Sequence, residues 1–454
     1  MTVSARKRIW GWYFFDWASQ PYNTLLLTFV FGPYFSEIAR GQFMAEGMDA
    51  DAAGAAAQAY WAVGLTVSSV LIAIFAPILG AIADGTGRRL VWVWFFSVFY
   101  VVGSYALWFI APGGDNLFWA VLFFGLGFIG MEFATIFTNA LMPSLGDHDE
   151  LGAVSGSGFA FGYLGGVIAL FLMLALFAEN AATGKTLIGI DPILGLDPEA
   201  REGTRAVGPF TAIWYVAFML PFFLWVKEPH VERRPIRIGA AMASLKELIA
   251  SLRYRGSLSA YLGSSLFYRD ALNALYGFGG VYASGVLNWS IMQIGVFGVV
   301  GAVAAVIASW IGGRLDRRYG PKPVIAGSIV VLILVCFVIV GMTRESVWGI
   351  ALDPMGGGAD RIFFACGALI GAAGGMLQAA SRTMMVRHTT PDRATEAFGL
   401  FALSGKVASF ISPALIALVT HASGSQRIGM APLIVMFLIG LILLSFVRAK
   451  GEQA

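Results

Sequence analysis

Apolar runs of 18 or more residues recur along this chain from residue 10 to residue 448, separated by short breaks of charged residues, glycine and proline. A helix needs ~20 predominantly apolar residues to cross a hydrocarbon core, so the runs predict transmembrane helices. Twelve are predicted, near residues 10–38, 58–83, 90–111, 116–142, 151–178, 207–226, 257–285, 289–313, 322–342, 360–386, 395–420 and 428–448. Composition agrees, with 58% of the 454 residues hydrophobic and 13% charged, where soluble domains carry roughly 25% charge. The fold class is therefore all-α and integral to a membrane.

The basic start, MTVSARKR, resembles that of a signal peptide, but the apolar run continues past Phe35 without a small-residue cleavage site and reads as a retained first span. With both termini in the cytoplasm, the inner segments hold 20 of the 30 Lys and Arg. The outer loops hold seven: Arg40, Lys185, Arg201, Arg205, Arg344, Arg361 and Arg427. That bias predicts both termini inside, at the inner (plasma) membrane if the cell is bacterial. The net charge of +3 is spread over many loops, which excludes a nucleic-acid footprint. Cys336 and Cys366 lie inside apolar runs and read as buried hydrophobes rather than disulfide or metal ligands. His148, His230, His388 and His421 sit near span ends without metal spacing, and glycine-rich stretches lie in spans rather than after strands. No enzyme, metal or cofactor is expected.

The longest inner connection, residues 227–256, contains MASLKELIASLR, which places Met242, Leu245, Leu248 or Ile249, and Leu252 on one helical face. It predicts a linker with an interfacial helix between two six-helix bundles, 1–226 and 257–454. After the second run the chain reads GAIADGTGRRL, and after the eighth GGRLDRRYGPK. Both place a glycine four residues before an aspartate, then a glycine and basic residues, at equivalent positions of the two halves. This repeated loop resembles the signature of the major facilitator superfamily, with Gly80, Asp84, Gly87, Arg88 and Arg89 in the first copy. The second copy has Gly312, Asp316, Arg317, Gly320 and Lys322, with one extra residue between aspartate and glycine. The stretches FFDWASQPY, FTNALMPSLGDHDELGAVSGSGFAFGYLGG and SRTMMVRHTTPDRATEAFGLFALSGKVASFISP resemble its vacuole-effluxer-like branch. The resemblance implies a twelve-helix, alternating-access carrier, a major facilitator fold whose fungal relatives are linked to amino-acid export from the vacuole. Gly80, Asp84, Gly87, Arg88, Asp316 and Arg317 would form its cytoplasmic gate.

Six ionisable residues fall within predicted spans: Asp16, Glu132, Arg269, Asp270, Arg382 and Lys406. At ~2.5 to 3.5 kcal/mol each near a helix centre, they must face a bundle interior or water. Asp16, Ser19, Gln20 and Asn23 form one polar stripe, interrupted by Pro21, which weakens the preceding turn. Glu132, Thr135 and Asn139 form a second stripe, Asp270, Asn273 and Gly277 a third, and Gln378, Ser381 and Arg382 a fourth. In the six-plus-six architecture these four helices line the central cavity. Structural alternatives stand beside this reading: Asp16 as an interfacial anchor, Arg382 snorkelling to the inner surface, Arg269 holding Glu132 or Asp16. Gly158, Gly162, Gly166 and Gly367, Gly371, Gly375 recur every fourth residue and permit close helix approach. The expected function is proton-coupled movement of a small polar solute, an amino acid or organic anion, by a monomer in a lipid bilayer. An uncoupled facilitator, a sodium-coupled carrier and a non-transporting receptor are the alternatives.

Overall fold

The computed structural model describes residues 3–113, 116–228, 238–289, 291–352, 357–407 and 409–451. In chain order the helices are α1 (Ala5–Pro21), α2 (Phe31–Ala45), α3 (Ala50–Thr86), α4 (Arg89–Ala106), α5 (Leu117–Asn139), α6 (Leu151–Leu172), α7 (Glu202–Arg205), α8 (Val207–Trp225) and α9 (Ile238–Ser251). They continue with α10 (Gly256–Leu287), α11 (Ile291–Tyr319), α12 (Pro321–Gly341), α13 (Gly358–Arg387), α14 (Ala394–Val407), α15 (Ile411–Ser423), α16 (Gln426–Gly429) and α17 (Ala431–Ser445). A short hairpin, β1 (Ser346–Val347) with β2 (Ile350–Ala351), joins α12 to α13.

Each predicted run is helical, and the all-α fold stands. Among the described residues, ten helices are long and apolar enough to cross a membrane. The first and seventh runs are the more polar ones, and both are helical. In the first, α1 ends at Pro21 and the chain continues as a π-helix over Tyr22–Phe29 before α2. Pro21 has no amide to give the carbonyl four residues earlier, and the Trp214 indole donates to that carbonyl, on Trp17, at 3.1 Å instead. The eleventh run is divided into α14 and α15. Pro413 sits in the first turn of α15, where its missing amide and ring disfavour a continuous helix through residue 409.

The chain divides into two units, one made of Met1–Phe75, Arg88–Thr138 and Phe161–Glu232, the other of Ala76–Gly87, Asn139–Ala160 and Arg233–Ala454. In the first unit α1 packs on α8, with the Trp17 and Trp214 rings stacked at 5.8 Å. Trp12 is fully buried, donating its indole N–H to the Thr138 carbonyl at 2.9 Å, so it is a core residue rather than the interfacial anchor its position suggests. A Cβ on Gly162 would stand 3.0 Å from the Asp16 Cβ, and one on Gly166 2.8 Å from the Gln20 Cγ, so these glycines let α6 lie directly on α1. In the second unit α11 packs on α13, where Gly371 meets the Gly301 backbone and Gly375 the Ala305 backbone.

Candidate functional site

The two signature loops end their helices in the same way. Gly87 (φ +66°) follows α3, and Gly320 (φ +84°) follows α11; both adopt the left-handed conformation that glycine reaches without strain. The extra residue of the second copy is taken up in the last turn: the Gly87 amide donates to the Ala83 carbonyl, and the Gly320 amide to that of Asp316 itself.

Each signature aspartate lies on the first turn of another helix. The Asp84 carboxylate accepts from the Thr395 hydroxyl at 2.6 Å and from the Glu396 amide at 2.8 Å, so it caps α14 from across the bundle. A carboxylate there satisfies orphan amides and complements the positive end of the helix dipole. The backbones are in contact: a Cβ on Gly80 would stand 2.6 Å from the Thr395 carbonyl oxygen, and one on Gly399 2.6 Å from that of Ala76. Asp316, 1% exposed, lies against Gly152 in the first turn of α6, where a Cβ would come within 2.6 Å of its Cγ. One turn on, Gly156 meets Gly313, and the Ser155 hydroxyl donates to the Ala379 carbonyl at 2.8 Å. Arg317 reaches Glu150 at 3.8 Å, while Arg88 is exposed. The linker helix α9 covers this junction: Leu245 and Leu248 are buried against Ala81 of α3 and Leu400 of α14. Ile249, on the same predicted face, is half exposed.

The second unit holds four intramembrane charges. Asp270 is 1% exposed, and its carboxylate accepts from the Ser412 amide at 2.8 Å, capping α15 where the eleventh run is broken. Lys406 occupies the last turn of α14, on the other side of that break. Arg269 donates to the Phe401 carbonyl at 2.7 Å and lies over the Phe401 ring at 4.1 Å. Its guanidinium is thus turned onto α14. Arg382 is 4% exposed and packs over the Phe159 ring at 4.0 Å, so it does not snorkel to a surface. Asn273 is exposed, and Gln378 half-buried. The neighbouring Ser381 is buried, bonded to the Tyr268 hydroxyl at 2.8 Å.

On α5, Leu126, Ile129, Glu132, Thr135 and Asn139 are partly accessible, whereas Met131, Phe133, Ala134, Ile136, Phe137 and Thr138 are buried. From Glu132 to Asn139 the accessible side of α5 is therefore the polar one, while nearer its start the accessible residues are apolar. In the first unit Asp16, Gln20 and Asn23 are also partly accessible, and the Asn23 amide approaches the Met131 sulfur at 4.0 Å.

The family model described as vacuole effluxer Atg22 like matches residues 4–453. The chain belongs to that family. An uncharacterized MFS-type transporter of Bacillus subtilis (strain 168), YxiO, is 26% identical over 447 residues, covering 96% of this chain and 94% of that protein. Autophagy-related protein 22 of Cryptococcus neoformans is 23% identical over 318 residues; the match spans 65% of this chain and 50% of the relative. Among solved structures, the proton:xylose symporter XylE superposes with a TM-score of 0.70 at 12% identity, covering 98% of this chain and 96% of that one. The transporter FucP in its outward conformation gives 0.66 at 14% identity, covering 97% and 98%. The fold of this Atg22-like protein is that of the major facilitator superfamily, and the chain is a multi-pass membrane transporter.

Several residues of this Atg22-like site escape a reading of charges and stripes. Thr395 and Glu396 meet Asp84, Ser155 and Gly152 line the second contact, and Tyr261 and Tyr268 both bond Ser381. The only local sign of the first pair is TTPDRATE, in which a proline followed by polar residues marks a helix start.

Proposed function

We propose that this Atg22-like protein is a secondary active transporter that moves a small polar solute, an amino acid or organic anion, by proton-coupled alternating access across a plasma membrane. The observation that carries the reading is the Asp84 contact with the first turn of α14. It joins the first signature loop to a helix of the 257–454 half through two hydrogen bonds and a glycine-lined surface. Both can part and re-form without unfolding either helix, as a gate requires. Residues 76–87 and 139–160, which precede the linker in sequence, group with the second unit, so the contact they make with α14 and α11 is internal to that unit.

In this scheme Asp16, Glu132 and Asp270 exchange protons, because burial favours the neutral carboxyl and an approaching cation favours the charged one. Arg269, Arg382 and Lys406 meet the anionic group of the solute, and Gln20, Asn23, Asn139, Asn273 and Gln378 supply neutral hydrogen bonds. Purified protein in proteoliposomes, offered labelled amino acids and organic anions, is expected to accumulate one class only while a pH gradient is held. Accumulation unaffected by collapsing that gradient would replace proton coupling by facilitated or sodium-driven movement. Absence of uptake for every solute class, from protein that is folded and correctly inserted, would leave the receptor alternative.

A further inference from the structure

The segment from Ser445 to Ala449 is held by side chains of other helices. At the end of α17 and just beyond it, the Lys322 ammonium donates to the carbonyls of Ser445 at 3.0 Å and Val447 at 2.7 Å, and the Arg387 guanidinium to that of Ala449 at 3.0 Å. The Arg448 amide donates to the Ser257 hydroxyl at 2.8 Å, tying the tail to the first turn of α10. These four hydrogen bonds fix the segment, and the fixing presents one side chain. Arg448 is exposed, and among the described residues its guanidinium makes no hydrogen bond or ion pair.

It stands on an open groove of about 890 Å³ between the start of α10 and the end of α17, lined by Tyr254, Arg255, Ser257, Ala260, Phe446 and Arg448. Two arginines face it, and among the described residues no carboxylate does. Arg255 is steadied by donation to the His388 carbonyl at 2.8 Å. Tyr254 and Phe446 flank the arginines and are 77% and 68% exposed. The helix long and apolar enough to cross a membrane ends at Ser445, one residue before Phe446, so the groove stands at the end of an apolar span. Exposed aromatic rings beside arginines at the end of a span match a lipid interface, and guanidinium pairs bind phosphate by charge-assisted hydrogen bonds.

We infer that this groove binds the phosphate headgroup of an anionic phospholipid, with Arg255 and Arg448 on the phosphate and Tyr254 and Phe446 against the acyl chains. The site is independent of whichever solute is transported. It is tested on delipidated full-length protein by native mass spectrometry and thermal unfolding with phosphatidylglycerol, phosphatidylcholine or glycerol 3-phosphate. Phosphatidylglycerol is expected to be retained and to raise the unfolding temperature more than phosphatidylcholine. Arg448→Glu is expected to weaken its retention by roughly fivefold or more, leaving the lipid-free unfolding temperature unchanged, while Arg448→Lys keeps most of it. Arg448→Gln serves in place of the charge reversal should that variant not fold. Arg318→Glu makes the same charge change at another exposed position and is expected to have no effect. Retention undiminished in both Arg448→Glu and Arg448→Gln overturns the site, and so does an equal loss in Arg318→Glu. Equal stabilisation by glycerol 3-phosphate alone overturns the assignment to a lipid.

Discussion

Replacing Asp84 by asparagine changes almost nothing in size but removes one of its two hydrogen bonds to the first turn of α14. The carboxylate now offers one oxygen to the Thr395 hydroxyl and the other to the Glu396 amide, at 2.6 and 2.8 Å. An asparagine has a single acceptor oxygen, so one donor must face its NH2 group, and the charge that complements the α14 dipole is lost. A hydrogen bond to a charged group contributes about 1.5 to 3 kcal/mol and the dipole about 0.3 to 1 kcal/mol. Taking about 2 kcal/mol against the closed end alone, the open population rises roughly 30-fold. Ser155 reports it, being fully buried at the second contact. A single Ser155→Cys in a background lacking Cys336 and Cys366 is labelled with an impermeant maleimide in inside-out vesicles, which present the signature-loop end under the proposed orientation. The Asp84→Asn variant is expected to label about 30-fold faster than its parent while the open state remains a minority. Unchanged labelling would refute the gate. A lowered unfolding temperature without faster labelling would make Asp84 a structural cap only.

Gly152→Val puts a branched side chain where Asp316 now lies, with even its Cβ only 2.6 Å from the Asp316 Cγ; the same Ser155→Cys reporter should label faster. Leu248→Ala should do likewise, since truncating a buried leucine costs about 2 to 5 kcal/mol and Leu248 is buried in the cluster in which α9 meets Ala81 and Leu400. Asp270→Ala leaves the Ser412 amide at the helix break without its acceptor, at about 1 to 3 kcal/mol, and should lower the unfolding temperature. Asp270→Asn keeps an acceptor there and should stay folded while losing pH-gradient-driven accumulation. Between α6 and α8, Glu179 accepts from the Thr204 amide and hydroxyl and lies 3.4 Å from Arg201; Glu179→Ala should destabilise the first unit, read as earlier proteolysis in the 180–206 loop.

Much of the candidate site is legible in the sequence because it rests on local pattern. Helical periodicity puts Glu132, Thr135 and Asn139 on one side of α5, and all three are partly accessible while Phe133, Ala134, Ile136, Phe137 and Thr138 between them are buried. The repeated glycine and aspartate mark two loops, and both glycines take the left-handed conformation that a helix end requires. The pairing of those aspartates is not legible. Asp84 meets residues 311 and 312 positions away, and nothing near either end announces the other.

The sequence by itself determines where this chain enters lipid, because a span is a matter of length and hydropathy within one segment, and it determines which residues are too polar to face that lipid. It does not determine whom they meet. A periodic pattern says which face of a helix is polar, not which helix lies against it, and between spans the surrounding hydrocarbon supplies no hydrophobic drive to select partners. The tertiary structure decides that Arg382 packs on Phe159 instead of reaching a surface, and that Arg269 turns onto Phe401. It also gives Asp270, adjacent to Arg269 in sequence, to the first turn of α15, because Pro413 breaks the helix there and leaves an amide that needs an acceptor.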